Sequence, residues 1–140
     1  MTTVSEALKA FRDSGAKYLD LRFTDVKGKW QHLTMDGTVV DEELLMDGVF
    51  FDGSSIAGWK AINESDMVLK PDLSTTVMDP FTAQPTMMIF CDILDAVTKE
   101  PYERDPRGTA KKAEEYVKSS GMGDTVYIGP EAEFFVFDDV

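Results

Sequence analysis

The hydrophobic period of this chain changes at Tyr18, and that change limits what its N-terminal part can fold into. Before it, Val4, Ala7, Leu8 and Phe11 recur at helical intervals behind Thr3 and Glu6, which have the spacing of a capping box. Gly15 supplies a helix stop. From Tyr18 the period is two: Leu19, Leu21 and Phe23 alternate with Asp20, Arg22 and Thr24. A turn at Val26-Lys27-Gly28-Lys29 leads into a second alternating run that ends at Met35, which is a hairpin signal. Asp36-Gly37 is a further turn, and Asp41 caps a short helix through Met46. Shorter strand candidates follow at Asp66–Leu69, Thr75–Met78 and Thr86–Ile93. The pattern predicts a small α+β domain with a helix over a mixed or antiparallel sheet.

The stretch from Lys99 to Pro106 reads as a boundary, because prolines bracket a charged segment without periodicity. It divides residues 1–102 from residues 103–140. Asp105 then caps a helix with Pro106 at its first position, Ala110, Ala113, Tyr116 and Val117 give it an apolar face, and Gly121 ends it. Strands are expected at Thr125–Ile128 and Glu131–Phe137. A helix and two strands cannot enclose a core of their own. The second unit therefore reads as the incomplete opening of a larger domain, and the chain as the N-terminal piece of a longer protein.

Charge narrows the partners. The 26 acidic residues outnumber the 14 basic ones, and a net charge of −12 argues against nucleic acid and against an anionic membrane surface. Apolar runs such as Met87-Met88-Ile89-Phe90-Cys91 are too short to span a bilayer, and the N-terminus lacks the pattern of a secretory signal. A cytoplasmic protein is the simplest expectation. Cys91 is the sole cysteine, so no internal disulfide forms, and its apolar surroundings suit a small buried hydrophobe. His32, the sole histidine, lies in an alternating segment that favours a structural or surface role. Nothing local supports a nucleophilic site built on it.

Two segments carry candidate chemistry. In Gly129-Pro130-Glu131-Ala132-Glu133-Phe134-Phe135-Val136-Phe137, two carboxylates fall two residues apart in an otherwise apolar run. In a strand they share one face, roughly 6.6 Å apart, and repel each other. Divalent metal ions are the usual remedy for converging hard oxygen ligands. The alternative is a solvated strand face with no role. In Phe51-Asp52-Gly53-Ser54-Ser55-Ile56-Ala57-Gly58-Trp59, a carboxylate and hydroxyls are presented between aromatic anchors. That segment reads either as an ordinary turn or as a site for a small cation or amine.

These segments, together with Asn63-Glu-Ser-Asp-Met67, Cys91-Asp-Ile-Leu94 and Arg104-Asp-Pro-Arg107, resemble class I bacterial glutamine synthetase in order and spacing over the whole chain. The resemblance implies a β-grasp N-terminal domain followed by the truncated start of the catalytic domain. It implies a double-ring homo-oligomer, a dodecamer, whose active sites lie between neighbouring subunits. It implies ATP-dependent ligation of ammonia to glutamate through γ-glutamyl phosphate, with Mg²⁺ or Mn²⁺. By position, Glu133 resembles a ligand of the metal that orders the glutamate site, and Glu131 a ligand of the metal serving the ATP phosphates. Asp52 resembles the carboxylate that binds and helps deprotonate ammonium, with Ser55 as the hydroxyl beside it, both serving the neighbouring subunit's site. Ala132 and Ala96 depart from residues common in the family, where proline is frequent. The runner-up activity is a related glutamate–amine ligase. For the isolated chain, the alternative is a non-catalytic oligomerisation module.

Overall fold

The computed structural model describes residues 2–59 and 65–139. Asn63 and Glu64 of the Asn63–Met67 motif lie outside the described residues. Contacts divide the chain into two units, Met1–Ala110 and Lys111–Val140.

Helix α1 (Val4–Asp13) starts with the expected capping box: Thr3 N–H donates to Glu6 Oε2 at 2.8 Å, and Glu6 N–H donates to Thr3 Oγ1 at 3.2 Å. Strands β1 (Tyr18–Thr24) and β2 (Trp30–Asp36) pair antiparallel, Tyr18 opposite Asp36 and Thr24 opposite Trp30. Their turn is organised by buried Asp25, whose Oδ1 accepts from Lys27 N–H at 2.9 Å and Lys29 N–H at 3.0 Å. Helix α2 (Glu42–Asp47) is capped by Asp41, whose Oδ1 accepts from Leu44 N–H at 2.8 Å. Strands β3 (Val49–Asp52), β4 (Asp66–Pro71), β5 (Val77–Met78) and β6 (Thr86–Asp95) complete the sheet, in the order β2-β1-β6-β4-β3 with β5 also on β6. Among the described residues, only the β1–β6 pairing is parallel.

The period-two pattern sets the faces. Leu19, Leu21, Met67, Leu69, Met87, Ile89, Cys91 and Ile93 form the buried side with Ala7, Leu8 and Phe11 of α1 and Leu44 and Leu45 of α2. Full burial of one such aliphatic side chain contributes about 1.5–3 kcal/mol. Cys91 is therefore core, as its surroundings suggested, and burial pushes its thiol far above the ordinary range. The sequence reading did not assign β3. Its four residues run from α2 into the Asp52 segment and look like the lead into a loop. Gly48 makes the entry possible: its φ is 85°, and a Cβ there would lie 2.3 Å from Leu69 O.

Helix α3 (Pro106–Ser119) begins at Asp105, which is 2% exposed. Asp105 Oδ2 accepts from Ile93 N–H at 3.2 Å and Oδ1 from Arg107 N–H at 3.0 Å, so one carboxylate ties the helix start to β6. Arg107 extends the tie. Its Nη1 donates to Asp92 Oδ1 at 2.6 Å and its Nη2 to Asp72 Oδ2. Burial would raise the Asp72 carboxyl, but the bonds from Arg107 and Ser74 outweigh it and take the pKa down to about 2.

The apolar face of α3 has Ala110 and Ala113 exposed, Tyr116 66% exposed and Val117 half-buried, which fits a unit without a core of its own. One expectation fails in the second unit. The expected strands Thr125–Ile128 and Glu131–Phe137 have no regular structure. The cause is the missing ladder. A strand needs a neighbour for its N–H and C=O groups, and among the described residues none pairs here. Phe134 and Phe135 are 84% and 86% exposed.

The Arg107 tie gives a stability prediction. Asp72 binds its proton less readily folded than unfolded, so the stability it contributes is fully present above the unfolded value near 3.8 and is lost as pH falls through about 2. Arg107→Met should cost about 1–3 kcal/mol at pH 7, because it removes the guanidinium charge and its hydrogen bonds from two half-buried carboxylates. The cost should shrink near pH 2. Urea unfolding at both pH values checks this, and equal losses would contradict it.

Candidate functional site

The candidate site grows out of the β3–β4 pair. Val49 to Asp52 run antiparallel to β4, with Asp52 opposite Asp66. At Asp52 the strand ends and a short 3-10 helix, Gly53–Ser55, begins with Asp52 as its N-cap. Gly53 is required by close approach: its N–H donates to Ser65 O at 2.7 Å, and a Cβ there would lie 2.3 Å from Met67 Sδ. The turn therefore seats directly on β4.

Aromatic side chains anchor both ends of the segment. Phe51 and Trp59 meet at 6.2 Å between ring centroids, Phe23 lies 5.3 Å from Phe51 and 5.5 Å from Trp59, and Tyr102 lies 5.5 Å from Trp59. Tyr102 Oη–H donates to Trp59 O at 2.9 Å, and Arg104 Nη1 donates to Gly58 O at 2.7 Å. The segment between the anchors is held at its ends while its polar groups face outward.

Asp52 and Ser55 are both exposed and line one shallow pocket of about 200 Å³, walled by Phe23, Phe51, Leu33 and Ile56. Asp52 Oδ1 accepts from Ser54 N–H at 2.8 Å and from Ser54 Oγ–H at 2.6 Å. The Ser54 hydroxyl is the largest influence holding the Asp52 carboxyl below its ordinary range, followed by the Ser54 amide, with a smaller contribution from Ser65. An ionised carboxylate beside a hydroxyl, over apolar walls, can bind a small cation and later accept its proton.

Glu131 and Glu133 lie in the second unit, exposed, and not on the strand expected for them. The nearby Phe135 and Phe137 rings sit 6.1 Å apart. The glutamate pair offers hard oxygen donors of the type that Mg²⁺ or Mn²⁺ takes. Among the described residues, no group of three or more His, Cys, Asp or Glu side chains converges on a metal position. Two carboxylates can supply at most part of a divalent ion's coordination shell.

A polar cluster on the other sheet face was not singled out from the sequence. Asp20, 4% exposed, accepts from Thr34 Oγ1 at 2.6 Å and Arg22 Nε at 2.7 Å, and lies 2.8 Å from His32 Nδ1. The signal was present in the hairpin register, which sets Asp20 opposite Thr34 and Arg22 opposite His32. His32 is thus part of a structural network, as expected of it.

Comparison with known proteins gives the family. The model for the glutamine synthetase β-grasp domain matches residues 15–96, and that for the glutamine synthetase catalytic domain matches residues 103–140. A glutamine synthetase of Rhizobium meliloti is 69% identical over 140 residues, covering all of this chain and 30% of the relative. One of Bradyrhizobium diazoefficiens is 63% identical with the same coverage. The chain thus spans about a third of the length of these curated relatives. The structure of Plasmodium falciparum glutamine synthetase superposes with a TM-score of 0.77 at 24% identity, over 86% of this chain and 23% of that one, which supports the fold. The α1-backed mixed sheet is a β-grasp domain, and the chain belongs to the glutamine synthetase family.

Proposed function

We propose that the protein to which this chain belongs ligates ammonia to L-glutamate with ATP, through γ-glutamyl phosphate, giving glutamine, ADP and phosphate. The observation that carries the reading is the pairing of Asp52 and Ser55 on one pocket, with the Asp52 carboxyl held ionised, in a chain 69% identical to a glutamine synthetase. ATP is a substrate, and the assembly is a homo-oligomer, a dodecamer, whose active site is shared across subunit interfaces. A cytoplasmic setting fits the acidic composition, and no helix among the described residues is long and apolar enough to cross a membrane. We take residues 1–102 as the domain carrying the ammonium side and residues 103–140 as the opening of the catalytic domain. The family matches, ending at residue 96 and starting at residue 103, support that division.

Each named residue has a physical task. Asp52 draws ammonium by charge, and Ser55 offers a hydroxyl oxygen to the same cation. When the cation must become a nucleophile, Asp52 is positioned to take its proton. Glu131 and Glu133 would hold Mg²⁺ or Mn²⁺, which when bound neutralises phosphoryl charge and orients the acceptor carboxylate. Glu133 serves the glutamate side and Glu131 the phosphate side. A compact carboxylate-and-hydroxyl site suits ammonium better than a bulky amine, which favours glutamine synthesis over a related glutamate–amine ligase.

Two substitutions in the full-length enzyme test this. Glu133→Gln removes charge at nearly constant volume. It should lower glutamine formation by at least roughly 10- to 100-fold while changing stability by less than about 0.5 kcal/mol. Wild-type turnover with unchanged metal dependence would remove Glu133 from the site. Asp52→Ala should chiefly impair ammonium use and leave γ-glutamyl phosphate formation less affected. Steady-state kinetics with ammonium as the varied substrate measures it, and a defect confined to ATP would contradict the assignment.

A further inference from the structure

The turn at Asp52 is one of three among the described residues built on the same plan. Asp36, Asp52 and Asp72 each cap a short 3-10 helix: Gly37–Val39, Gly53–Ser55 and Leu73–Thr75. In each, one carboxylate oxygen accepts both the amide and the hydroxyl of the residue two positions on. Thr38 donates to Asp36 Oδ1 at 2.9 Å from N and 2.7 Å from Oγ1. Ser54 donates to Asp52 Oδ1 at 2.8 Å and 2.6 Å. Ser74 donates to Asp72 Oδ1 at 3.1 Å and 2.6 Å.

The third turn shows what the plan does with a cation. With Asp72 Oδ1 held by Ser74, Oδ2 carries the Arg107 guanidinium. Two donors on one oxygen fix the carboxylate plane, so the second oxygen meets the cation in a set direction rather than by rotation. At Asp52 the same geometry stands on the pocket shared with Ser55.

We propose that Ser54 is a positioning residue for ammonium: its hydroxyl locks Asp52 Oδ1 so that Oδ2 is presented to the cation beside Ser55. This rests on the assignment of Asp52 to ammonium binding. Ser65 also donates to the Asp52 carboxylate, with the smallest effect on its pKa. The two Ser54 donors share Oδ1, and the Ser54 hydroxyl, which touches no substrate in this scheme, is the nearer of them.

Ser54→Thr and Ser54→Val in the full-length enzyme separate the hydroxyl from the shape of the side chain. Threonine already serves at the equivalent position of the Asp36 turn. With ammonium chloride as the varied substrate, Ser54→Thr should keep the ammonium KM within about twofold of wild type. Ser54→Val should raise it roughly tenfold, with the KM values for ATP and glutamate within about twofold. Thr38→Val makes the same deletion in the Asp36 turn and should leave the ammonium KM unchanged. If the valine variant does not fold, Ser54→Ala takes its place in the comparison. Equal ammonium KM values for the threonine and valine variants, or an equal shift from Thr38→Val, would overturn the proposal. Asp52→Ala in the same assay distinguishes the two levels. If it leaves ammonium use intact, the ammonium assignment itself fails. If it impairs ammonium use while Ser54→Val does not, only the positioning role fails.

Discussion

Strand β6 is the constraint on which the rest of this structure depends. Its first half pairs with β1 in parallel and with β5, and its second half pairs antiparallel with β4. Met87, Ile89, Cys91 and Ile93 run along its core face at 4% exposure or less. Because side chains alternate, a slip of one residue would expose all four and bury Met88, Phe90 and Asp92 instead. The Asp105 carboxylate on Ile93 N–H then carries that register into the start of α3. A single strand thereby orders the hairpin on one side and the β4–β3 pair on the other.

The candidate site is a consequence of that order. β4, fixed on β6, supplies the Met67 side chain, and Ser65 just before it supplies the carbonyl, against which Gly53 seats. The Phe23, Phe51, Trp59 and Tyr102 rings hold the segment's ends, so the intervening polar groups are presented on a rigid frame. The local turn then assigns the hydrogen bonds. Among the described residues no cation pairs with Asp52, and its carboxyl is lowered by the neutral donors Ser54 and Ser65. That differs from Asp72, where a guanidinium adds its charge. A carboxylate kept ionised by hydroxyl and amide donors retains its full charge for an incoming cation.

How much was legible in the sequence follows from the range of the interactions involved. The Thr3–Glu6 box, the Asp41 cap, the turn before β2 and the alternation of β1 are local, and each appears where its residues predict it. β3 was missed because four residues give too short a period to separate from a turn, although Val49-Phe50-Phe51 after Gly48 carries β-forming side chains. The run from Glu131 to Phe137 has strong strand propensity and forms no strand. Propensity describes a fit to a neighbouring strand, and the described residues provide none. The setting of Asp52 and Ser55 between aromatics fits an ordinary turn equally well, and only the resemblance to the family singled them out. The role of Ser54 in holding Asp52 needed coordinates, since Asp-Gly-Ser also forms plain turns.

The central claim is that the fold holds the Asp52 carboxyl ionised and oriented before any substrate arrives. A carbon-detected NMR titration of that side-chain carboxyl in residues 1–140 tests it most directly. The carboxyl should titrate below the ordinary aspartate value of 3.8. A carboxyl titrating at or above that value would mean the turn does not hold Asp52, and the account would be wrong.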